Sequence, residues 1–270
     1  MKKTKIEWCD VTWNPVTGCF HDCPYCYAKK IALRFGGSIE TCPDETLHEL
    51  EEKFYADPSG WIAKDGESLF RAYPWGFDPT FHKYRLPEPK GWKKPQKIFV
   101  CSMADLFGKW VPDEWIEEVF KACDAAPQHN YLFLTKNPAR YVELYVAGKL
   151  PMQGNMWYGT TVTNQDRPYA VCETNSHNLF LSVEPIMEDM GEWRGVSEGK
   201  NIKWVIVGAE TGNRKGRITP EKSWIESLAE QCSKYEVPIF MKESLVPIVG
   251  EENMRREFPR GLCGDIGKSL

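Results

Sequence analysis

Three cysteines near the start of the chain are the residues best suited to chemistry. Cys19, Cys23 and Cys26 fall within the eight residues CFHDCPYC. Thiolates bind zinc ions and iron–sulfur clusters, and paired thiols can form disulfides. The spacing therefore leaves four interpretations: disulfides, ordinary buried cysteines, a zinc site or an iron–sulfur cluster.

The composition of the chain helps to choose among these four interpretations of the cysteines. The chain has 270 residues and a net charge of −4, and it includes ten cysteines. Its first residues, MKKTKIEWCD, are basic but precede no apolar stretch, and no apolar run approaches the roughly 20 residues that span a bilayer. We therefore expect a cytoplasmic protein without membrane contact and with mostly reduced cysteines, which disfavours disulfides. The acidic balance also disfavours indiscriminate binding to nucleic acid.

The cysteine pattern by itself leaves both metal interpretations open. A structural zinc ion needs four ligands, and His21, Cys9 or Cys42 could complete the set. An iron–sulfur cluster held by three thiolates would keep one iron open, which is the position that substrate chemistry needs. Three other cysteines on apolar helix faces are assigned to packing: Cys123, Cys172 and Cys232.

Short apolar segments alternate with amphipathic segments from residue 97 onwards. The apolar segments predict strands in KIFVCS, YLFLTK, MWYGTTVTN, NLFLSVEPI, WVIVGAE and VPIFMK, with VTWNPV as a candidate first strand. Helices are predicted in YCYAKKIALRF, VPDEWIEEVFKACDA, PARYVELYVAG, residues 167–174 and TPEKSWIESLAEQCSKY. Strands that are apolar on both faces and alternate with helices indicate a parallel sheet covered by helices. We predict one α/β domain over residues 1–270, a partial (β/α) TIM-like barrel of about six to seven parallel strands.

Residues 38–96 interrupt this alternation after the first helix. They have weak periodicity and many prolines, glycines and aromatic residues, so we predict an insertion, helical at first and irregular afterwards, that serves as a lid or substrate loop. The same residues could instead stack bases and contact phosphates. The aromatic and basic residues concerned are Trp61, Tyr73, Trp75, Phe77, Phe81, His82, Lys83, Tyr84, Arg85 and Trp92.

Polar residues stand at the carboxyl ends of the predicted strands. Parallel α/β folds place their active sites at this edge, so polar residues on six successive strands predict a site there. They are Ser102 and Asp105, Thr135 and Lys136, Thr161 and Asn164, Ser182 and Glu184, Glu210, and Lys242 and Glu243.

These features together resemble the radical S-adenosylmethionine superfamily. CFHDCPYC matches its C-x3-C-x2-C signature, with the aromatic Tyr25 before the third cysteine, between a candidate strand and a helix. The resemblance is closer to a branch associated with phages and mobile elements, and it covers nearly all of residues 4–260 outside the insertion. It is carried by KIEWCDVTWNPVTGC, CPYCYAKK, FVCSMADLFG, FLTKNP, GTTVTN, LFLSVEPI, WVIVGAETG and VPIFMKESL.

The resemblance implies a [4Fe-4S] cluster held by Cys19, Cys23 and Cys26, whose open iron binds S-adenosylmethionine. In that superfamily an electron cleaves the cofactor to methionine and a 5′-deoxyadenosyl radical, which takes a hydrogen atom from the substrate. An external electron donor of the flavodoxin or ferredoxin type is then implied. A nucleic-acid base or nucleotide is the candidate substrate, and a partner protein is a further candidate.

Roles for individual residues also follow from the resemblance. Tyr25 would lie beside the adenine through its backbone. Ser102 and Asp105 would accept from the methionine ammonium, because CSMADLF lacks the superfamily's glycine-rich stretch here; a capping role for Asp105 stays open. The other implied cofactor contacts are Thr161, Asn164, Ser182, Gly208 and Glu210.

Charged residues inside the predicted barrel are the catalytic candidates, namely Glu184, Lys136 and Lys242. A structural set of ion pairs among them and Glu210 is the alternative. Cys101 is expected to pack against a helix rather than to donate hydrogen, because strand alternation turns it away from Ser102. The alternative function for the whole chain is a non-catalytic, zinc-stabilised nucleic-acid-binding protein.

Overall fold

The structure, a computed structural model, describes residues 4–36, 46–56, 69–170, 177–193, 196 and 201–262. Its strands are β1 Val11–Trp13, β2 Val16–Thr17, β3 His48–Leu50, β4 Tyr55–Ala56, β5 Leu69–Phe70, β6 Thr80–His82, β7 Lys97–Val100, β8 Asn130–Thr135, β9 Met156–Val162, β10 Asn178–Val183, β11 Ile202–Val207 and β12 Ile239–Met241. Its helices are α1 Tyr27–Phe35, α2 Asp113–Asp124, α3 Ala139–Val146, α4 Lys222–Lys234 and α5 Val246–Val249.

Seven strands form one parallel sheet in the order β1-β7-β8-β9-β10-β11-β12. All six neighbouring pairs are parallel, so the carboxyl ends of the strands meet at one edge. Sequential order with helical crossovers curves the sheet into a half-barrel. The predicted partial TIM-like barrel of parallel strands is therefore confirmed.

The helices cover one face of this sheet through apolar stripes. In α2 the acidic residues Asp113 and Glu114 stand in the first turn, where they favour the positive end of the helix dipole. The buried stripe that follows is the predicted one: Trp115, Ile116, Val119, Phe120 and Cys123. These side chains join a large cluster with residues of the sheet and of the other helices.

The opposite, concave face of the sheet carries a second cluster without helical residues. Its members are mostly aromatic, and they stand on alternate positions of successive strands because side chains alternate between the two faces. The strand residues are Phe99, Leu132, Trp157, Phe180, Trp204, Ile206 and Phe240. Trp157 and Thr161 share this face, so it changes from aromatic to polar towards the carboxyl ends.

The insertion contributes strands of its own. β2, β6 and β3 form a three-stranded sheet in that order, and β4 pairs antiparallel with β5. β2 precedes the insertion and leads into the cysteine loop. Its pairing with β6 therefore places part of the insertion directly beside that loop. Trp61 and the other residues of 37–45 and 57–68 lie outside the described residues, and the lid role stays a prediction.

The helix predicted over residues 167–174 is wrong for its described part. Residues 167–170 are not helical, and residues 171–174 lie outside the described ranges. The physical reason is Pro168, which disfavours helical geometry at Arg167. Among the described residues, no helix combines the length and apolarity that crossing a membrane requires.

Candidate functional site

The three cysteines lie in the loop between β2 and α1. The loop starts at Gly18, whose φ of +87° and position against the insertion demand glycine: an added Cβ would stand 2.1 Å from the carbonyl oxygen of Asp78. The Gly18 N–H donates to the carbonyl of Met103 at 2.9 Å. The loop is therefore fixed from two sides, by the insertion and by the segment after β7.

All three thiols are free and half-buried. Cys26 is the N-cap of α1, and its Sγ accepts from the Lys29 N–H at 3.3 Å. Cys19 Sγ accepts from the His21 N–H at 3.5 Å. Backbone donors and a helix N-terminus favour thiolates, and three thiolates in one loop are the donor set that an iron–sulfur cluster uses. By residue type and spacing, though not by the placement of their side chains, the three cysteines therefore fit the predicted cluster.

Burial opposes the ionisation of one of these thiols. It raises the pKa of Cys19 to about 12, because burial disfavours the thiolate, while the His21 N–H acts in the opposite direction. Binding to a metal would deprotonate such a thiol. Within the described ranges, no three His, Cys, Asp or Glu side chains are arranged as a site for a metal ion.

Asp105 lies buried at the end of β7 and accepts four hydrogen bonds. Its Oδ1 accepts from Phe107 N–H at 3.1 Å and from Thr135 Oγ1 at 2.7 Å. Its Oδ2 accepts from Lys136 N–H at 2.8 Å and pairs with His21 Nε2 at 2.7 Å. Burial alone raises the pKa of Asp105, but the bonds from His21, Lys136 and Thr135 outweigh it and hold the pKa below its ordinary value. The carboxylate is thus ionised, and His21 Nε2 is the donor.

Ser102 is held by residues that sequence reasoning missed. Its Oγ donates to Asn14 Oδ1 at 3.1 Å, and the same oxygen accepts from the Met103 N–H at 3.0 Å. The carbonyl of Ser102 accepts from the Tyr27 hydroxyl at 2.6 Å. Asn14 and Tyr27 therefore join the ends of β1 and β7 to α1. No local sequence pattern indicates contacts between positions so far apart.

Tyr25, between the second and third cysteines, is half-buried. Its pKa lies well above its ordinary value, because burial and a side-chain hydrogen bond with Cys23 both favour the neutral phenol, while Arg167 acts in the opposite direction. The Tyr25 side chain is therefore turned towards the cysteines, where it contacts Cys23. The predicted backbone contact with adenine stays a prediction.

The ends of β9 and β10 place further candidates together. Thr161 and Ser182 are buried partners in the register of the two strands. Lys136 Nζ reaches Thr161 Oγ1 at 3.5 Å. Asn164, two residues beyond β9, has a buried side-chain oxygen that accepts no hydrogen bond from any described residue. An orphaned acceptor of this kind is typical of a site that takes a ligand or water.

Glu184 and Lys242 form an ion pair across the ends of β10 and β12. The pair lies over Gly208 at the end of β11, where an added Cβ would stand 3.1 Å from Lys242 Cδ and 3.3 Å from Glu184 Cδ. Gly208 thus provides room for this pair. Lys136 is not its partner, so the predicted catalytic residues fall into a pair and a separate lysine.

Glu210 pairs with Arg214 rather than with a lysine. Arg214 donates from Nε at 2.6 Å and from Nη2 at 2.7 Å to the two carboxylate oxygens. The bonds from Arg214 lower the pKa of Glu210 against the opposing effect of burial, and Arg217 and Lys30 add to the lowering. Three basic residues therefore surround this strand end.

Cys101 belongs to the cluster between the sheet and the helices. It is buried, and burial raises the pKa of its thiol to about 12. The packing position expected for Cys101 is therefore confirmed.

Comparisons with known proteins give three findings. The family described as "Protein of unknown function (DUF5131)" matches residues 3–251. No curated protein matches the sequence. Among solved structures, a cysteine-to-serine mutant of spore photoproduct lyase is similar, with 10% identity and a TM-score of 0.48 over 89% of this chain and 78% of that chain.

Proposed function

This chain belongs to the DUF5131 family, whose description states no activity, and we propose that it is a radical S-adenosylmethionine enzyme acting on a nucleic-acid base or nucleotide. One observation carries the proposal. Three half-buried thiols with C-x3-C-x2-C spacing occupy one loop at the carboxyl edge of a parallel half-barrel. That edge is where such folds carry out their chemistry.

In this proposal Cys19, Cys23 and Cys26 hold a [4Fe-4S] cluster. The bound cluster would supply the electron that cleaves S-adenosylmethionine to methionine and a 5′-deoxyadenosyl radical, which takes a hydrogen atom from the substrate. Cys26 would contribute from the N-cap of α1, where its Sγ accepts from the Lys29 N–H. An external flavodoxin- or ferredoxin-type protein would deliver the electron, and a further partner protein remains part of the proposal.

S-adenosylmethionine would bind along the strand ends beside the cysteine loop. The orphaned oxygen of Asn164 supports this assignment most directly, since a ribose hydroxyl or an ammonium would satisfy it. The other proposed contacts are the Tyr25 backbone, Ser102, Thr161, Ser182, Gly208 and Glu210. Asp105 stands apart, because its four hydrogen bonds already occupy both oxygens.

Lys136, Glu184 and Lys242 would act on the substrate. Lys136 Nζ, at 3.5 Å from Thr161 Oγ1, offers further donors to an anionic group. The Glu184–Lys242 ion pair would present a carboxylate acceptor and ammonium donors to the substrate at the strand ends. The insertion would exclude water above them.

Metal analysis and product analysis together test the proposal. Protein purified and reconstituted without oxygen should be brown and should contain about four irons per chain. After dithionite reduction with S-adenosylmethionine, chromatography should detect 5′-deoxyadenosine. A colourless protein with one zinc per chain would instead favour the zinc-stabilised nucleic-acid-binding protein. A fully loaded, reduced protein that yields no 5′-deoxyadenosine with any nucleotide present would refute the enzymatic proposal.

A further inference from the structure

We infer that the His21–Asp105 pair is a tether that positions the cysteine loop against the ends of β7 and β8. The pair joins the middle of the loop, between Cys19 and Cys23, to a buried carboxylate 84 residues away in sequence. Neither residue needs to touch the cluster for this role. Where the inference concerns iron, it rests on the proposed function.

The anchor of the tether is rigid. Asp105 is 5% exposed, and its own position is fixed by donors from two strand ends. These donors are the Phe107 N–H, Thr135 Oγ1 and the Lys136 N–H. A hydrogen bond to an ionised, buried acceptor is among the stronger hydrogen bonds in proteins.

Neighbouring contacts dock the same part of the loop on the same segment. The ring of Trp110 meets the ring of His21 edge-on at 4.9 Å and that of Phe20 at 5.4 Å. The Gly18 N–H donates to the Met103 carbonyl at 2.9 Å. Residues 18–21 are thus held by a backbone hydrogen bond, aromatic contacts and a side-chain hydrogen bond to residues 103–110, and His21 takes part in two of the three kinds.

This role differs from the ammonium-binding role predicted for Asp105. An ionised carboxylate offers about four acceptor positions, and four protein donors occupy them here. Binding an ammonium would require displacing one of those donors. If Asp105 acts on the loop through His21, removing the imidazole alone should disturb the thiols. If Asp105 binds the cofactor, removing the imidazole should leave the thiols as they were.

The decisive variants are His21→Ala, His21→Gln and Asp22→Asn. Alanine removes the donor, whereas the glutamine amide can still donate to Asp105 and should restore part of the effect. Asp22→Asn is the matched control, because Asp22 forms an ion pair with Lys29 at 2.5 Å in the same loop but is exposed. Asparagine also tolerates the positive φ of 50° at this position.

Two measurements are made on each variant. For reconstituted protein, the rate of iron loss to a chelator should rise about 10- to 100-fold in His21→Ala, the range typical of residues that orient metal ligands. For metal-free protein, alkylation of Cys19 by iodoacetamide, followed by mass spectrometry, should become several-fold faster. Asp22→Asn should match the wild type in both, and circular dichroism should show that every variant is folded.

Unchanged alkylation in folded His21→Ala would overturn the inference, as would equal acceleration in Asp22→Asn. A wild-type protein that binds no iron would refute the proposed function, while alkylation of the metal-free chain would still decide the tether. Iron loss and alkylation that both stay at wild-type values in His21→Ala, while Asp105→Asn weakens S-adenosylmethionine binding, would assign Asp105 to the cofactor instead.

Discussion

The guanidinium of Arg214 donates two hydrogen bonds to the carboxylate of Glu210, which is nearly buried at the end of β11. The same guanidinium donates to the carbonyls of Lys215 and Gly216, at 3.3 Å and 3.0 Å. Glu210 thereby organises the loop of residues 211–217 through a single arginine. The basic side chains of this loop are held beside the mouth of the half-barrel.

Removing that arginine should destabilise the fold. Arg214→Ala leaves the Glu210 carboxylate without the two hydrogen bonds from this guanidinium, so we expect the free energy of unfolding to fall. Adding Glu210→Gln to the same chain removes the carboxylate charge and should recover part of the loss. Urea unfolding measures both. A double variant no more stable than Arg214→Ala would show that the loss has another cause.

Alanine replacement of each of three cysteines should abolish cluster binding. Cys19→Ala, Cys23→Ala and Cys26→Ala each remove one of the three thiolates, and we expect iron content after anaerobic reconstitution to fall to background. Cys123→Ala and Cys232→Ala are the controls, since both thiols are buried in helix packing. Full iron content in any of the first three variants would remove that residue from the ligand set.

Asn164→Ala should weaken S-adenosylmethionine binding while the cluster stays assembled. The lost hydrogen bond is worth about 0.5–1.5 kcal/mol, so the dissociation constant should rise up to about tenfold. Equilibrium dialysis of the oxidised holoprotein measures it. The control is Asn155→Ala, because the Asn155 amide donates to the carbonyl of His129 at the opposite end of the strands. Equal affinity in both variants would place the cofactor elsewhere.

Acid should weaken the fold through His82. This side chain is fully buried, bonds Thr17 Oγ1 at 2.8 Å, and has its pKa lowered to about 3 by burial and by Arg85. The unfolded chain takes up a proton below pH 6.5 that the folded chain refuses. Stability is therefore fully present above pH 6.5 and falls by about 1.4 kcal/mol per pH unit as the pH drops towards 3.

Comparing His82→Gln with the wild type isolates the contribution of His82 protonation to the pH dependence of the free energy of unfolding. Glutamine can keep the bond to Thr17 and does not titrate, so the variant should lose about 1.4 kcal/mol less between pH 7.5 and 5.5. Urea unfolding at pH 7.5, 6.5 and 5.5 gives the values. An identical drop in both proteins would assign the acid sensitivity to other groups.

The half-barrel could be predicted because each strand of the parallel sheet has an apolar pattern that can be recognised in its own short segment of sequence. Segments such as YLFLTK and WVIVGAE are short, apolar and spaced by amphipathic helices. The observed strands β8 and β11 overlap them, although each begins one or two residues earlier. The small sheet of β2, β6 and β3 could not be predicted, because strands of two or three residues carry no readable period.

The positions of the candidate residues at the strand ends could be predicted from the sequence, but their hydrogen-bond and ion-pair partners could not. The carboxyl-edge rule groups Glu184, Glu210 and Lys242, yet whether Glu210 meets a lysine or Arg214 depends on side-chain geometry in a loop. The His21–Asp105 contact is similar: both residues are visible in the sequence, but their separation of 84 positions leaves no local pattern. The helix predicted at 167–174 was wrong for its described part, because Pro168 disfavours helical geometry at the residue before it.

The concave face of the sheet has one further consequence, for protein engineering. On β9 the aromatic Trp157 and the polar Thr161 point the same way, and on β10 Phe180 and Ser182 do so. We expect substitutions in the aromatic row to change heat tolerance through packing, and substitutions in the polar row to change the contacts that the proposed cofactor would make.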